Sequence, residues 1–496
     1  MSFIENSLWY DQDAPDVALV RHAIEGQAAI KRQRTTYLPH PSMVDNTSKE
    51  QRARYDAYLG RAEFDSSCGQ TKTELVGAFT RAAHEINLPA NIKYLEVDSD
   101  GDWLSLSDSM NVTFANILAV KYHILLAEFE DGGVDPSVQI SKAQKAQLNQ
   151  RSKIVHYPRE SLTNWAFGVV NNRMQLTHVV LTSESSELNS EFVSVKTKKQ
   201  LLLNLDENGE YRQRLIVSDG ENTTEGEWIY PSASGKRLKY IPIEVVQDER
   251  SYSGSLPRAT GYLGSIALKD VARYQVNADL KEKLAVLQDT INSTGWTDSL
   301  WEEYKLINGR DYVATGLGVS NQFPDGVAVD VMKMQADGDA HFKYIAENEK
   351  QTRALGGRYE TEPDDTNTAT ESVIKSAKEN SVLSMIAVNI EGAYRRLAAY
   401  CSDFEGVYIE PDKIEITANR QFSATKMQPE EADRILSIYD HSLMSKATAL
   451  KKLRAGGYGD DEITIEAELN LIDEEAPPPL LSKAGGAQNA EAEVQP

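Results

Sequence analysis

Residues 371–400, "ESVIKSAKENSVLSMIAVNIEGAYRRLAAY", place apolar side chains at Val382, Ile386, Ile390, Ala393, Leu397 and Tyr400. A three-and-four spacing sustained over this length specifies a long amphipathic helix, and its apolar face has to be buried against another layer. The preceding stretch is equally constraining. "ADGDAHFKYIAENEKQTRALGG" (336–357) is helical in pattern, Gly356 and Gly357 supply a left-handed C-cap, and Pro363 keeps "RYETEPDDTNTAT" from continuing as helix. Thr368 or Thr370 can then cap the long helix. Two helices hold out a loop too polar for a core, and such a loop contacts a partner or lines a passage.

The rest of the chain divides by period. Residues 1–125 read as mostly helical, through "ALVRHAIEGQAAIKRQ", "SKEQRARYDAYLGRAEF", "TKTELVGAFTRAAHEI" and "SMNVTFANILAVKYHILLAEF". Between 150 and 246 the pattern becomes strand-like in "THVVLTSES", "EFVSVKTKKQLLLNL", "EYRQRLIVS" and "EWIYP", with Asn208-Gly209 as a hairpin turn. "LKYIPIEVV" closes this meander, and its proline indicates an edge strand or a bulge. Helical period returns over 263–293, with one stripe at Ala267, Val271, Tyr274 and Ala278 and a second at Leu280, Leu284, Leu287 and Ile291. Some thirty residues at about 1.5 Å each make a rod of roughly 40 Å. Residues 294–335 read as a small α/β unit inserted between two helices. Its aromatic residues Trp296, Trp301, Tyr304 and Phe323 point either to a small local core or to a docking face. A brief strand at "KIEITANRQF", helices at 429–454 and near 462–470, and a disordered Pro/Ala/Glu-rich tail complete the chain.

Composition narrows the function. Only Cys68 and Cys401 are present, which excludes a disulfide framework and fits synthesis in a reducing compartment. No run approaches the roughly 18 apolar residues of a membrane span, and the acidic N-terminus lacks the pattern of a signal peptide. A net charge of −23 argues against gripping nucleic acid through a basic surface, yet it suits a surface along which DNA slides without sticking.

Motifs for chemistry are missing. There is no phosphate-binding Gly-x-x-x-x-Gly-Lys-Ser/Thr, no nucleophile elbow and no dinucleotide-binding glycine pattern, and the eight histidines show no metal-ligand spacing. "DSDGD" at Asp98, Asp100 and Asp102 departs from the calcium-loop pattern, so a solvated turn is preferred to a metal site. The acids at 337–339 favour the N-terminus of the helix that follows. The expectation is a protein that is not an enzyme and uses no cofactor or metal.

The order of these segments resembles the portal proteins of tailed bacteriophages, in a subgroup whose N-terminal region is catalogued as a domain of unknown function. The pieces that carry the resemblance are "EGQAAIKRQRTTYLP", "YDAYLGRAEF" and "TKTELVGAF", then "RLKYIPIEVV" leading to "ALKDVARYQVNADLKEKL", then "TNTATESVIKSAKENSVLSMIAVNIEGAYRRL". It implies an α+β, mainly helical portal fold assembled into a ring of twelve subunits at one capsid vertex, through which double-stranded DNA is packaged and ejected. Residues 1–262 would be the wing, 263–293 the first stem helix, 294–335 the clip and 336–355 the second stem helix. Residues 356–370 would form the tunnel loop, 371–427 the long wing helix and a returning strand, 428–475 a short helical crown, and 476–496 a disordered tail.

Implied partners are the terminase large subunit, a head–tail adaptor, and the major capsid and scaffolding proteins, with the virion as location and no membrane. On this mapping Trp296, Trp301, Tyr304 and Phe323 dock the terminase. Leu280, Leu284, Leu287 and Ile291 face a neighbouring subunit. Arg353, Arg358, Tyr359, Glu360, Glu362, Asp364 and Asp365 line the DNA channel, as a few cations followed by a larger acidic stretch. The alternatives are a non-ring head–tail adaptor or scaffold and an enzyme with a dispersed acidic site.

Overall fold

The computed structural model describes residues 3–41, 48–129, 150–170, 172–188, 192, 194–218, 222–233, 236–249, 255–258, 260–286, 290–314, 320–332, 339–356, 369–420, 422, 429–455, 458 and 465–475. They fall into two compact units, Met1–Phe422 and Ser423–Pro496.

The first unit begins with helices started by serine. α1 (Leu8–Glu25) is followed, across a break at Gly26 with φ +97°, by α2 (Gln27–Arg32), then α3 (Lys49–Arg61) and α4 (Ser67–Phe79). After the short strand β1 (Glu85–Asn87) comes α5 (Leu106–Val120). Ser7, Ser48, Ser66 and Ser105 each accept a hydrogen bond from the amide three residues on, satisfying a donor at the start of α1, α3, α4 and α5.

The segment expected to stay helical through "KYHILLAEF" does not. Lys121 takes φ +79° and closes α5, and β2 (Tyr122–Phe129) follows at once. A short apolar run buried on both faces has no period that separates helix from strand. β2 is the centre of a three-stranded antiparallel sheet, between β3 (Ser152–Tyr157) and an edge strand introduced below.

β4 (Leu162–Val170), β5 (Arg173–Leu188), β6 (Ser194–Leu205), β7 (Tyr211–Ser218) and β8 (Thr223–Glu225) form an antiparallel meander in chain order. The β6–β7 turn has Gly209 at φ +72°, and Asp206 Oδ1 accepts from the amides of Asn208 and Glu210, both at 2.9 Å. "EWIYP" makes only an isolated bridge from Ile229 to Gln213. β9 (Ser232–Ala233) and β10 (Lys236–Arg237) form a minor hairpin. β11 (Ile243–Gln247) does not close the meander as expected: it pairs with β2 as the edge of the three-stranded sheet, with Pro242 just ahead of it.

α6 (Gly264–Val286), β12 (Thr290–Thr294), α7 (Asp298–Asn308), β13 (Ala328–Met332) and α8 (Asp339–Gly356) precede the long helix α9 (Ala369–Phe404) and β14 (Glu415–Thr417). α9 packs on α5 and on β2, β3, β11 and β14. Ile386, Ile390, Ala393 and Leu397 are fully buried there, with Val382 and Tyr400 at the margin, as the stripe requires. Charge pairs fix its registry. Arg396 is bidentate to Glu244 of β11 at 2.8 and 2.7 Å, and buried Glu391 accepts from the Ala418 amide at 2.9 Å and from Arg420 Nη2 at 2.5 Å. Phe79 and Phe114 stack at 4.0 Å, with Phe422 beside them.

The second unit holds α10 (Pro429–Asp440), α11 (Lys446–Ala455) and α12 (Ile465–Glu475). α11 packs against both others, Ala432 and Ala449 are its buried apolar residues among those described, and Arg454 pairs with Glu468 at 3.4 Å.

Candidate functional site

α6 and α8 form an antiparallel helical hairpin. Lys269, early in α6, bonds Gln351 late in α8 through Nζ at 2.6 Å and accepts from Asn348 Nδ2 at its carbonyl oxygen at 3.3 Å; Lys283, late in α6, meets His341 early in α8 at 3.1 Å. The first half of α6 sits in the core, where Ile266, Ala267, Tyr274 and Ala278 are buried. A buried ionic knot anchors it. Asp270 Oδ2 accepts from the Cys68 amide at 2.8 Å, capping the start of α4, while Asp270 Oδ1 accepts from Arg273 Nη2 at 3.1 Å, and Arg273 also donates to Ser67 Oγ and the Asp65 carbonyl, both at 2.9 Å. Burial pushes the Asp270 carboxyl up to about 6, against the pull of that amide and of Arg273.

Beyond Leu280, which is buried, α6 leaves the core: Leu284 is 56% exposed. Ile291, expected on the same helical stripe, lies instead on β12, opposite Val331 of β13, because the helix ends at Val286. Leu287 lies outside the described residues. The hairpin also leaves Leu268, Phe342, Tyr344 and Leu355 exposed. A single pair of helices therefore presents more apolar surface than it covers.

At its far end the hairpin carries the β12–β13 ribbon and α7. Trp296, Trp301, Tyr304 and Phe323 come together there as one cluster, with ring centroids 4.8 to 6.2 Å apart. Tyr304 is fully buried and donates through its hydroxyl to the Tyr312 carbonyl at 3.1 Å and to Asn321 Oδ1 at 2.8 Å. Asn321 also accepts from Arg310 at 2.7 Å and donates to the Ala314 carbonyl at 2.7 Å. These aromatics are the core of a miniature domain, and its exposed apolar groups are Leu306, Ile307, Tyr312 and Val329. Leu306, 88% exposed, lies two residues from buried Tyr304 and so off the face of α7 that carries the cluster.

Of the loop residues, Arg353 lies exposed on the last turn of α8, while Arg358, Tyr359, Glu360, Glu362, Asp364 and Asp365 lie outside the described residues. The acidic turn at 98–104 is closed by its own carboxylates: Asp98 Oδ1 accepts from the amides of Gly101 and Trp103, and Asp100 Oδ1 from those of Asp102 and Leu104, while Asp98 Oδ2 accepts from Arg151. Among the described residues no group of acids, histidines and cysteines is placed to hold a metal, and no helix is long and apolar enough to cross a membrane.

The sequence did not foreshadow a buried histidine pair. His123 of β2 and His156 of β3 meet at 2.9 Å between Nε2 and Nδ1, and His156 Nε2 continues to Ser109 Oγ at 2.8 Å, which meets the Tyr394 hydroxyl of α9 at 2.6 Å. Burial lowers both imidazoles, His156 to about 4 and His123 well below its ordinary value. Their spacing of 33 residues carries no motif; only the β2–β3 register brings them together.

Residues 263–405 match a family model described as "Domain of unknown function (DUF4055)". The match spans α6 to α9, not the N-terminal region where the resemblance had placed such a domain. No curated protein matches the chain. Among solved structures, the chain is similar to one from the neck of a native GTA particle computed with C12 symmetry, at 11% identity over 78% of this chain and 89% of that one, with a TM-score of 0.37. It is also similar to an HK97 family phage portal protein from Corynebacterium diphtheriae, at 8% identity over 75% and 95% of the two chains, with a TM-score of 0.31. Both likenesses are too slight to carry an argument.

Proposed function

We propose that this chain is a subunit of a phage portal, a ring at one capsid vertex that conducts double-stranded DNA and serves as the head–tail connector. The observation that supports this best is the antiparallel α6–α8 hairpin, which leaves the core at Leu280, carries a miniature α/β domain at its far end and returns to a long core helix. The apolar surplus at Leu268, Leu284, Phe342, Tyr344 and Leu355 suits lateral packing of one copy against the next. In this reading the hairpin is the stem, residues 294–335 are the clip, and residues 356–370, most of which lie outside the described residues, are assigned to the tunnel loop. A charge of −23 per copy keeps the duct from adhering to its cargo.

The clip is then the face for a terminase motor during filling and for an adaptor afterwards. Twelve copies, capsid and scaffolding contacts, and a place in the virion follow from the same reading. Negative-stain imaging of the purified chain tests it: rings with a central hole are expected, and compact monomers at every concentration would overturn it.

A further inference from the structure

The acidic turn ahead of α5 holds a tryptophan out in solvent. Trp103 is 81% exposed, and its backbone stands at φ +66°, a left-handed conformation that a bulky side chain takes up only under constraint. The constraint comes from the turn itself. Asp98 Oδ1 accepts from the Trp103 amide at 3.1 Å, and Asp100 Oδ1 from the amides on either side of it, Asp102 at 2.8 Å and Leu104 at 3.2 Å. Ser99 then donates from its amide to the Leu104 carbonyl and accepts at its own carbonyl from the Ile154 amide of β3, both at 2.7 Å, which ties the turn to the three-stranded sheet. Val97, 64% exposed, adds a second large apolar side chain next to Asp98.

Nothing in the chain's own folding calls for an indole here. Glycine would relax the left-handed residue, and the ring gains almost no burial. A rigid, uncovered ring loses little freedom on docking, which is what an interface anchor needs. The charges beside it select what it docks on. Arg151 is taken by Asp98, and Lys153 runs past Gly101 with its aliphatic chain. Among the described residues no cation pairs with Asp100 or Asp102, the acids that flank Gly101 and precede the ring. These carboxylates repel nucleic-acid phosphates and anionic lipid headgroups, and they favour lysine and arginine on a protein surface.

We propose that Trp103 docks in an apolar pocket on a second protein, a pocket edged by lysine or arginine that meets Asp100 and Asp102. The surface is remote from the hairpin. The turn lies just ahead of α5, whereas Leu263, at the root of α6, donates from its amide to the Leu118 carbonyl near the other end of that helix, 15 residues and about 20 Å away. The docking surface is therefore separate from the stem and the clip, and it stands or falls independently of the connector reading.

Affinity purification of the full chain from the cells that make it, with bound proteins identified and quantified by mass spectrometry, compares the wild type with Trp103→Gly and Asp102→Lys. The first variant removes the ring and relaxes the backbone; the second reverses one charge without touching the bonds that close the turn. One protein other than the chain itself should fall at least about tenfold with each variant. In that complex hydroxyl radicals should oxidise Trp103 at least about fivefold more slowly than in the chain alone. A set of bound proteins that both variants keep, or a Trp103 as reactive in the complex as in the free chain, overturns the proposal. A partner lost with Trp103→Gly but kept with Asp102→Lys overturns the cationic edge, and recovery of only further copies of the chain overturns the second protein. Thermal unfolding is the control for fold: Trp103→Gly should melt no lower than the wild type, and a lower midpoint would give the ring a structural role instead.

Discussion

Acidification should unlock the junction between the three-stranded sheet and the long helix, because His123 and His156 are packed there as neutral rings. Their facing nitrogens, 2.9 Å apart, need one donor and one acceptor, and a second proton turns the contact into two opposed donors. The folded value of His156 is depressed to about 4 from 6.5. Below pH 6.5 the unfolded chain therefore binds more protons than the folded one, and stability falls as pH falls, until the folded ring titrates near 4. Integrated from pH 7.5 to 5.0, that shift amounts to about 2 kcal/mol, within a full span of roughly 3 kcal/mol. Urea titrations of the wild type and His156→Gln at both pH values, at fixed ionic strength, isolate the term. Asp270, raised to about 6, changes stability in the opposite sense but is common to both proteins. The wild type should lose about 2 kcal/mol more than the variant on acidification. Parallel losses, within about 0.5 kcal/mol, would refute the neutral pair.

Glu391→Ala removes the acceptor of the buried Ala418 amide and the partner of Arg420, and should lower stability by about 2 kcal/mol in urea titrations; a shift below about 0.5 kcal/mol would mean water replaces the carboxylate. Tyr304→Phe keeps the aromatic cluster but removes the hydroxyl that joins the Tyr312 carbonyl to Asn321, so limited proteolysis should cut residues 309–323 several-fold faster while the rest of the chain resists. Leu284→Asp should leave the circular dichroism of the chain unchanged, since the side chain is already exposed, yet reduce the oligomer seen by light scattering; an unchanged oligomer would show that Leu284 faces no neighbour.

The parts of the fold that were legible in sequence are those whose apolar period is long. The stripe from Ile386 to Leu397 and that from Ala267 to Ala278 are buried as their spacing demands. Where the run is short and wholly apolar, as at "YHILLAEF", period says nothing, and a single left-handed residue, Lys121, decides between helix and strand. β11 was recognisable as a strand with an edge character, but its partner was not, because β2 and β11 are joined by register over more than a hundred residues. The histidine pair failed to show for the same reason.

A different limit applies to the candidate interface. Leu280 and Leu284 occupy the same stripe four residues apart, yet one is 7% exposed and the other 56%. Sequence writes core-facing and partner-facing leucines identically, since both satisfy the same helical period. What separates them is that Leu280 still faces the body of the chain, where α3 reaches α6 through the Arg61–Glu282 pair, whereas beyond that pair α6 runs beside α8, which Lys283 meets at His341. On the core-facing stripe, Ala267, Tyr274, Ala278 and Leu280 are held by this chain's own core. Leu284, exposed on the outer half of the hairpin, is the residue of that stripe that a neighbouring copy would cover in the connector reading.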